Sequence, residues 1–114
     1  MRMSALICFT TCPEAYTAER IATTLVEERL AACVNIVPGL RSVYRWEGRI
    51  EATAEVMLLI KTTPDHYPRL QERLRELHPY ELPELLAVES TLGLPDYLRW
   101  VADETCLQTP RPQD

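Results

Sequence analysis

Ser42-Val43-Tyr44-Arg45-Trp46-Glu47-Gly48-Arg49-Ile50-Glu51-Ala52 is the stretch on which the fold turns. Glu47-Gly48 is a tight-turn signal, because a two-residue hairpin loop needs a backbone that glycine adopts without strain. Ahead of it, Cys33-Val34-Asn35-Ile36-Val37 and then Ser42 to Trp46 run with a period of two, and Pro38-Gly39 between them marks a bend or bulge. Behind it, Ile50, Ala52, Ala54, Val56, Leu58 and Ile60 alternate, while Met57 and Leu59 make the second half apolar on both faces. The two runs predict a long hairpin with a polar tip and a buried base.

Upstream, Ala5-Leu6-Ile7-Cys8-Phe9-Thr10 is short and apolar on both sides, as a central strand is. Pro13 and Glu14 then suit the first turn of a helix, and Ala18, Ile21, Ala22, Leu25 and Val26 give it one apolar stripe. The predicted helix covers about residues 14–30. Downstream, Tyr67, Leu70, Leu74 and Leu77 form a second stripe. Asp65 is its expected cap: Pro68 then falls where no helical N–H is required, whereas a cap at Thr63 would put it inside the ladder at about 3 kcal/mol. Pro79 stops that helix. Residues 84–89 read as a fourth strand, and Gly93-Leu94-Pro95-Asp96 opens a last helix with Tyr97, Leu98 and Val101 facing in.

The order β-α-β-β-α-β-α predicts an α+β, ferredoxin-like fold: an antiparallel sheet with helices on one face and an extra C-terminal helix. Residues 1–106 are expected to form one domain and 107–114 a frayed tail. A length of 114 residues with 46% hydrophobic and 25% charged residues suits such a domain and excludes a disordered chain. No apolar run approaches a membrane span, and the N-terminus lacks secretory features, so the expected location is the cytoplasm. Seventeen carboxylates against eleven arginines and the single Lys61 leave a net charge of −5, which disfavours nucleic acid and anionic membranes as partners. Four cysteines without CxxC spacing read as free thiols.

His78-Pro79-Tyr80-Glu81-Leu82-Pro83-Glu84 is the densest polar segment, and its prolines hold the polar groups in place. It suits ligand or metal capture, or acid–base work by His78 with Glu81 or Glu84; equally, it suits a rigid corner whose imidazole caps the preceding helix. Lys61 either reaches an anionic group or snorkels at a strand end, and Cys33 is either functional or a small core residue. Tyr44 and Trp46 near an exposed tip suggest a partner surface, the simplest partner being another copy of the chain. Glu47, Glu51 and Glu55 read as a solvated face, and His66 as solvent-facing. Glycine-rich phosphate loops, HExxH, GxSxG, EF-hand and zinc-finger spacings are absent.

Taken together, Ala31-Ala32-Cys33-Val34-Asn35-Ile36-Val37-Pro38-Gly39, the Tyr44-x-Trp46-x-Gly48 hairpin, Ile60-Lys61-Thr62-Thr63, the His78 to Glu84 run and Tyr97-Leu98-Arg99-Trp100 resemble the CutA divalent-cation tolerance family over roughly residues 5–104. The resemblance implies a PII-like homotrimer, a role in the response to metal ions, and no enzymatic activity. The family's motif positions fall on Cys33, Trp46, Lys61, His78, Tyr80, Glu81 and Glu84, near clefts between subunits. Copper or another divalent cation is the ligand it implies. Members with a proposed copper site carry Cys where this chain has Thr10 and a His-His pair at Leu77-His78; here His78 alone remains, with Cys12, and after it Cys8, as substitute thiols. The alternatives are a small-ligand signalling module or an enzyme using His78 with Glu81 and Glu84 at the inter-subunit cleft.

Overall fold

The two alternating runs pair as their period requires. In the computed structural model, which describes residues 3–106, β2 (Cys33–Trp46) and β3 (Arg49–Thr62) form an antiparallel hairpin. Glu47 and Gly48 at its tip both have left-handed backbone, φ 51° and 80°, the turn whose twist matches that of the strands. Val37 pairs with Met57 but Leu40 with Glu55, so Pro38 and Gly39 together face Val56. This is the expected bulge, with Gly39 at φ 83°.

β1 (Ala5–Cys12) lies antiparallel between β3 and β4 (Leu86–Ser90), giving the order β2-β3-β1-β4. On one face Cys8 and Cys12 of β1, with Val56, Leu58 and Ile60 of β3, pack on Ala18, Ile21 and Leu25 of α1 (Ala15–Glu27) and on Leu70, Leu74 and Leu77 of α2 (Tyr67–Leu77). The opposite face carries the cross-strand sets Ile7–Val88 and Leu59–Phe9–Leu86. α3 (Pro95–Glu104) covers only one end of it, through Val101 and Leu98 on Ala5 and Ala32. Leu86 and Val88 therefore remain 63% and 56% exposed. The radius of gyration, 15.4 Å, exceeds the roughly 13 Å of a compact chain this long. The excess is the hairpin, which projects beyond the bulge as an arm in a molecule of 54 × 29 × 22 Å. No helix among the described residues is long and apolar enough to cross a membrane.

Several local expectations need correction. α1 stops at Glu27, not near residue 30, because Arg29 turns left-handed at φ 60°. The N–H groups of Leu30 and Ala31 then both donate to the Leu25 carbonyl, at 2.9 and 3.2 Å, and Leu30 folds back into the core. Val26, expected on the buried stripe, is exposed. Asp65 does not cap α2: residues 64–66 form a 3-10 turn entered from Thr63, and α2 begins at Tyr67 with Pro68 in its first turn, where its missing N–H is still harmless. His66 is half-buried, with Nδ1 2.6 Å from Thr63 Oγ1, and burial holds its imidazole below the usual range. β4 starts at Leu86 rather than at residue 84, where pairing with Phe9 begins. Tyr97 is half-exposed and stacks on Trp100, 5.6 Å between ring centres, because only the later part of α3 reaches the core. The expected tail, 107–114, lies outside the described residues.

Candidate functional site

The site grows from the way α2 ends. Pro79 disfavours helical backbone at the residue before it, and His78 is extended at φ −81°, ψ 136°, while its N–H still donates to the Leu74 carbonyl at 2.9 Å. The imidazole thereby turns under the end of β1. Its Nε2–H donates to the Thr11 carbonyl at 2.7 Å, and its Nδ1 accepts from the Tyr80 backbone N–H at 3.2 Å. Those partners require the neutral ring protonated on Nε2, with both nitrogens occupied, and the residue is only 7% exposed.

Tyr80 lies against this ring, 4.8 Å between centres, and its hydroxyl donates to Glu55 Oε2 at 2.6 Å. Glu55 sits on β3 just past the bulge and is only 8% exposed, which corrects the expectation of a solvated face. Burial, and then the bond to Glu55, hold the Tyr80 phenol well above its usual range. Burial and the nearby Glu55 charge likewise raise the Glu84 carboxyl. Between this corner and the arm lies a cleft of about 520 Å³, walled by Tyr44, Trp46, Glu55, Tyr80, Leu82 and Glu84, with Glu81 and Arg45 also on its lining.

Of the residues singled out from sequence, the structure thus gathers Trp46, Tyr80, Glu81 and Glu84, with His78 as the buttress beneath Tyr80. Cys33 and Lys61 do not join them. They are cross-strand partners at the other end of the hairpin, where Lys61 Nζ donates to Asn35 Oδ1. Glu55 is the member that sequence reasoning missed. Its signal was positional: it lies two residues from Met57, on the face shared with Leu59 and Lys61.

His78, Cys12 and Cys8 do not fit a copper centre. Both nitrogens of His78 are engaged. Cys8 and Cys12 point into the hydrophobic core, and burial, joined at Cys12 by the Glu55 charge, pushes each thiol up to about 11, away from the thiolate that binds metal. Four residues apart on one strand, they are separated by roughly 13 Å. Among the described residues no three His, Cys, Asp or Glu side chains converge to hold a metal ion.

A family model described as CutA1 divalent ion tolerance protein matches residues 6–104. A divalent-cation tolerance protein CutA from Thermus thermophilus is 50% identical over 95 residues, 83% of this chain and 92% of that protein. The mouse protein CutA is 45% identical over 90% of this chain, which spans 58% of that longer protein. Among solved structures, CutA from Xylella fastidiosa superimposes with a TM-score of 0.88 at 50% identity, covering 90% of this chain and 98% of the other.

Proposed function

The chain belongs to the CutA1 divalent ion tolerance family, and from that premise we propose that it is a homotrimeric cytoplasmic protein that responds to metal ions by binding cations in the cleft beside Tyr80, without catalysing a reaction. Glu55 carries this reading. A carboxylate buried without a cation is costly, and among the described residues no Lys, Arg or His forms an ion pair with it. A cation entering the cleft supplies the missing charge. Binding is favoured over acid–base chemistry because proton transfer at His78 would break a bond on one side of the ring or the other. The exposed apolar sheet face and the free edges of β2 and β4 are the surfaces by which copies would assemble in a closed ring. Four free cysteines suit a reducing compartment.

The test pairs light scattering with calorimetric titration of Cu²⁺, Zn²⁺ and Mg²⁺. The expected mass is three times 13.1 kDa, and divalent-ion binding should weaken in Glu55→Gln. A monomer would refute the assembly; identical isotherms in the two proteins would refute divalent-ion binding at Glu55.

A further inference from the structure

We propose that the cleft between the arm and the 80–84 corner is a site for an alkyl diammonium or polyamine cation. This rests on the reading of the cleft as a cation site and names the kind of cation. The first reason is what the cleft lacks. The Tyr80 hydroxyl already donates its hydrogen bond to Glu55 Oε2, so it offers a ligand only lone pairs. Glu55 Oε1 accepts no hydrogen bond among the described residues, although the side chain is more than nine-tenths buried and lines the cleft. Glu81 and Glu84 add further acceptors. Such a wall calls for a donor that is also positive. A primary ammonium offers three N–H groups and a full charge, whereas a quaternary ammonium offers none.

The second reason is the opposite wall. Tyr44, Trp46 and Leu82 give aromatic faces and apolar surface, which a hydrated metal ion cannot use and an alkylammonium can, through cation–π contact at its head and burial of its methylenes. The third is size. A volume of about 520 Å³ falls in the range of small-molecule pockets, far beyond that of a bare ion. More than one carboxylate faces this space, and Glu84 already responds to the charge of Glu55. A second ammonium on the same chain therefore meets a second unbalanced charge. Arg45, also on the lining, pairs with none of these carboxylates and does not replace the ligand.

The experiment uses the assembled protein carrying Trp100→Phe, which leaves Trp46 as its only tryptophan. Titration with 1,4-diaminobutane is followed by Trp46 fluorescence and by calorimetry, with 1,4-butanediol as the neutral isostere and Zn²⁺ in a parallel arm. Saturable binding of the diamine and none of the diol is expected. Glu55→Gln, which keeps an acceptor for the Tyr80 hydroxyl, should weaken the diamine about tenfold or more, the loss of one ion pair in the cleft. Glu84→Gln should weaken it by a smaller factor, and Glu76→Gln, on the exposed side of α2, should not. If Glu55→Gln is not folded by circular dichroism, Glu84→Gln carries the test. A flat diamine titration, equal response to diol and diamine, or unchanged affinity in both cleft variants overturns the proposal. Zn²⁺ binding that depends on Glu55 alongside a flat diamine titration removes the diammonium and leaves the cation cleft standing; failure of both ligands removes both.

Discussion

Thr10 lies between Cys8 and Cys12 on β1, fully buried, and its hydroxyl has no hydrogen-bond partner among the described residues. An unmade buried hydrogen bond costs about 1–3 kcal/mol, and an apolar group of the same shape avoids that cost. Thr10→Val should therefore raise the free energy of unfolding by about 1 kcal/mol. The readout is a higher urea midpoint at unchanged m-value and fixed protein concentration; a lower midpoint would mean that the hydroxyl has a partner. Glu55 marks where reading residues from sequence stops. Alternation places a side chain on one face of a strand, but here the face is covered at that point by Tyr80, which arrives from 25 residues away. His78 was legible as the first residue of a rigid polar segment. Its role as a neutral buttress was not, because that depends on the Thr11 carbonyl, 67 residues distant.

At the level of elements, the hairpin turn was legible from two residues because its chemistry is local: Glu47-Gly48 with alternating flanks admits few other conformations. The end of α1 was not, since Leu30 continues the apolar pattern whether it stays helical or folds back, and the decision falls to the left-handed Arg29. The turn also gives a clean test of how far it stiffens the arm. A Cβ at Gly48 would meet nothing within 4 Å, so any penalty there is conformational alone. Gly48→Ala should cost about 1 kcal/mol. Glu47→Asn should stabilise by a few tenths, because asparagine tolerates left-handed backbone better than glutamate. Amide exchange across residues 42–53 should be faster in the alanine variant and slower in the asparagine variant. Equal exchange in both would mean that the arm is ordered by contacts made along its length instead of by its tip. Because Tyr44 and Trp46 form one wall of the cleft, the same variants should shift diamine affinity in the same order.

For the whole molecule, the question is what covers the second face of the sheet. The helix layer was legible from the stripes of α1 and α2. The other face was only half legible, since strands apolar on both sides must be buried twice, yet one chain supplies helices for one side. Val88 is opposite Ile7 on that uncovered face, at the free-edge strand β4. In an isolated chain, a residue 56% exposed should accept glutamate with a change within about 0.5 kcal/mol. In a trimer that seats the face against its neighbours, the same substitution places an unpaired carboxylate in each contact and costs several kcal/mol per site. Val88→Glu should therefore move the light-scattering mass from three chains towards one and make the thermal midpoint fall steeply as the protein is diluted. Tyr16→Glu, at an exposed position on the helix side, should leave both unchanged. A Val88→Glu protein that keeps its mass and midpoint would place the contact between copies elsewhere, and the apolar face would then need another cover.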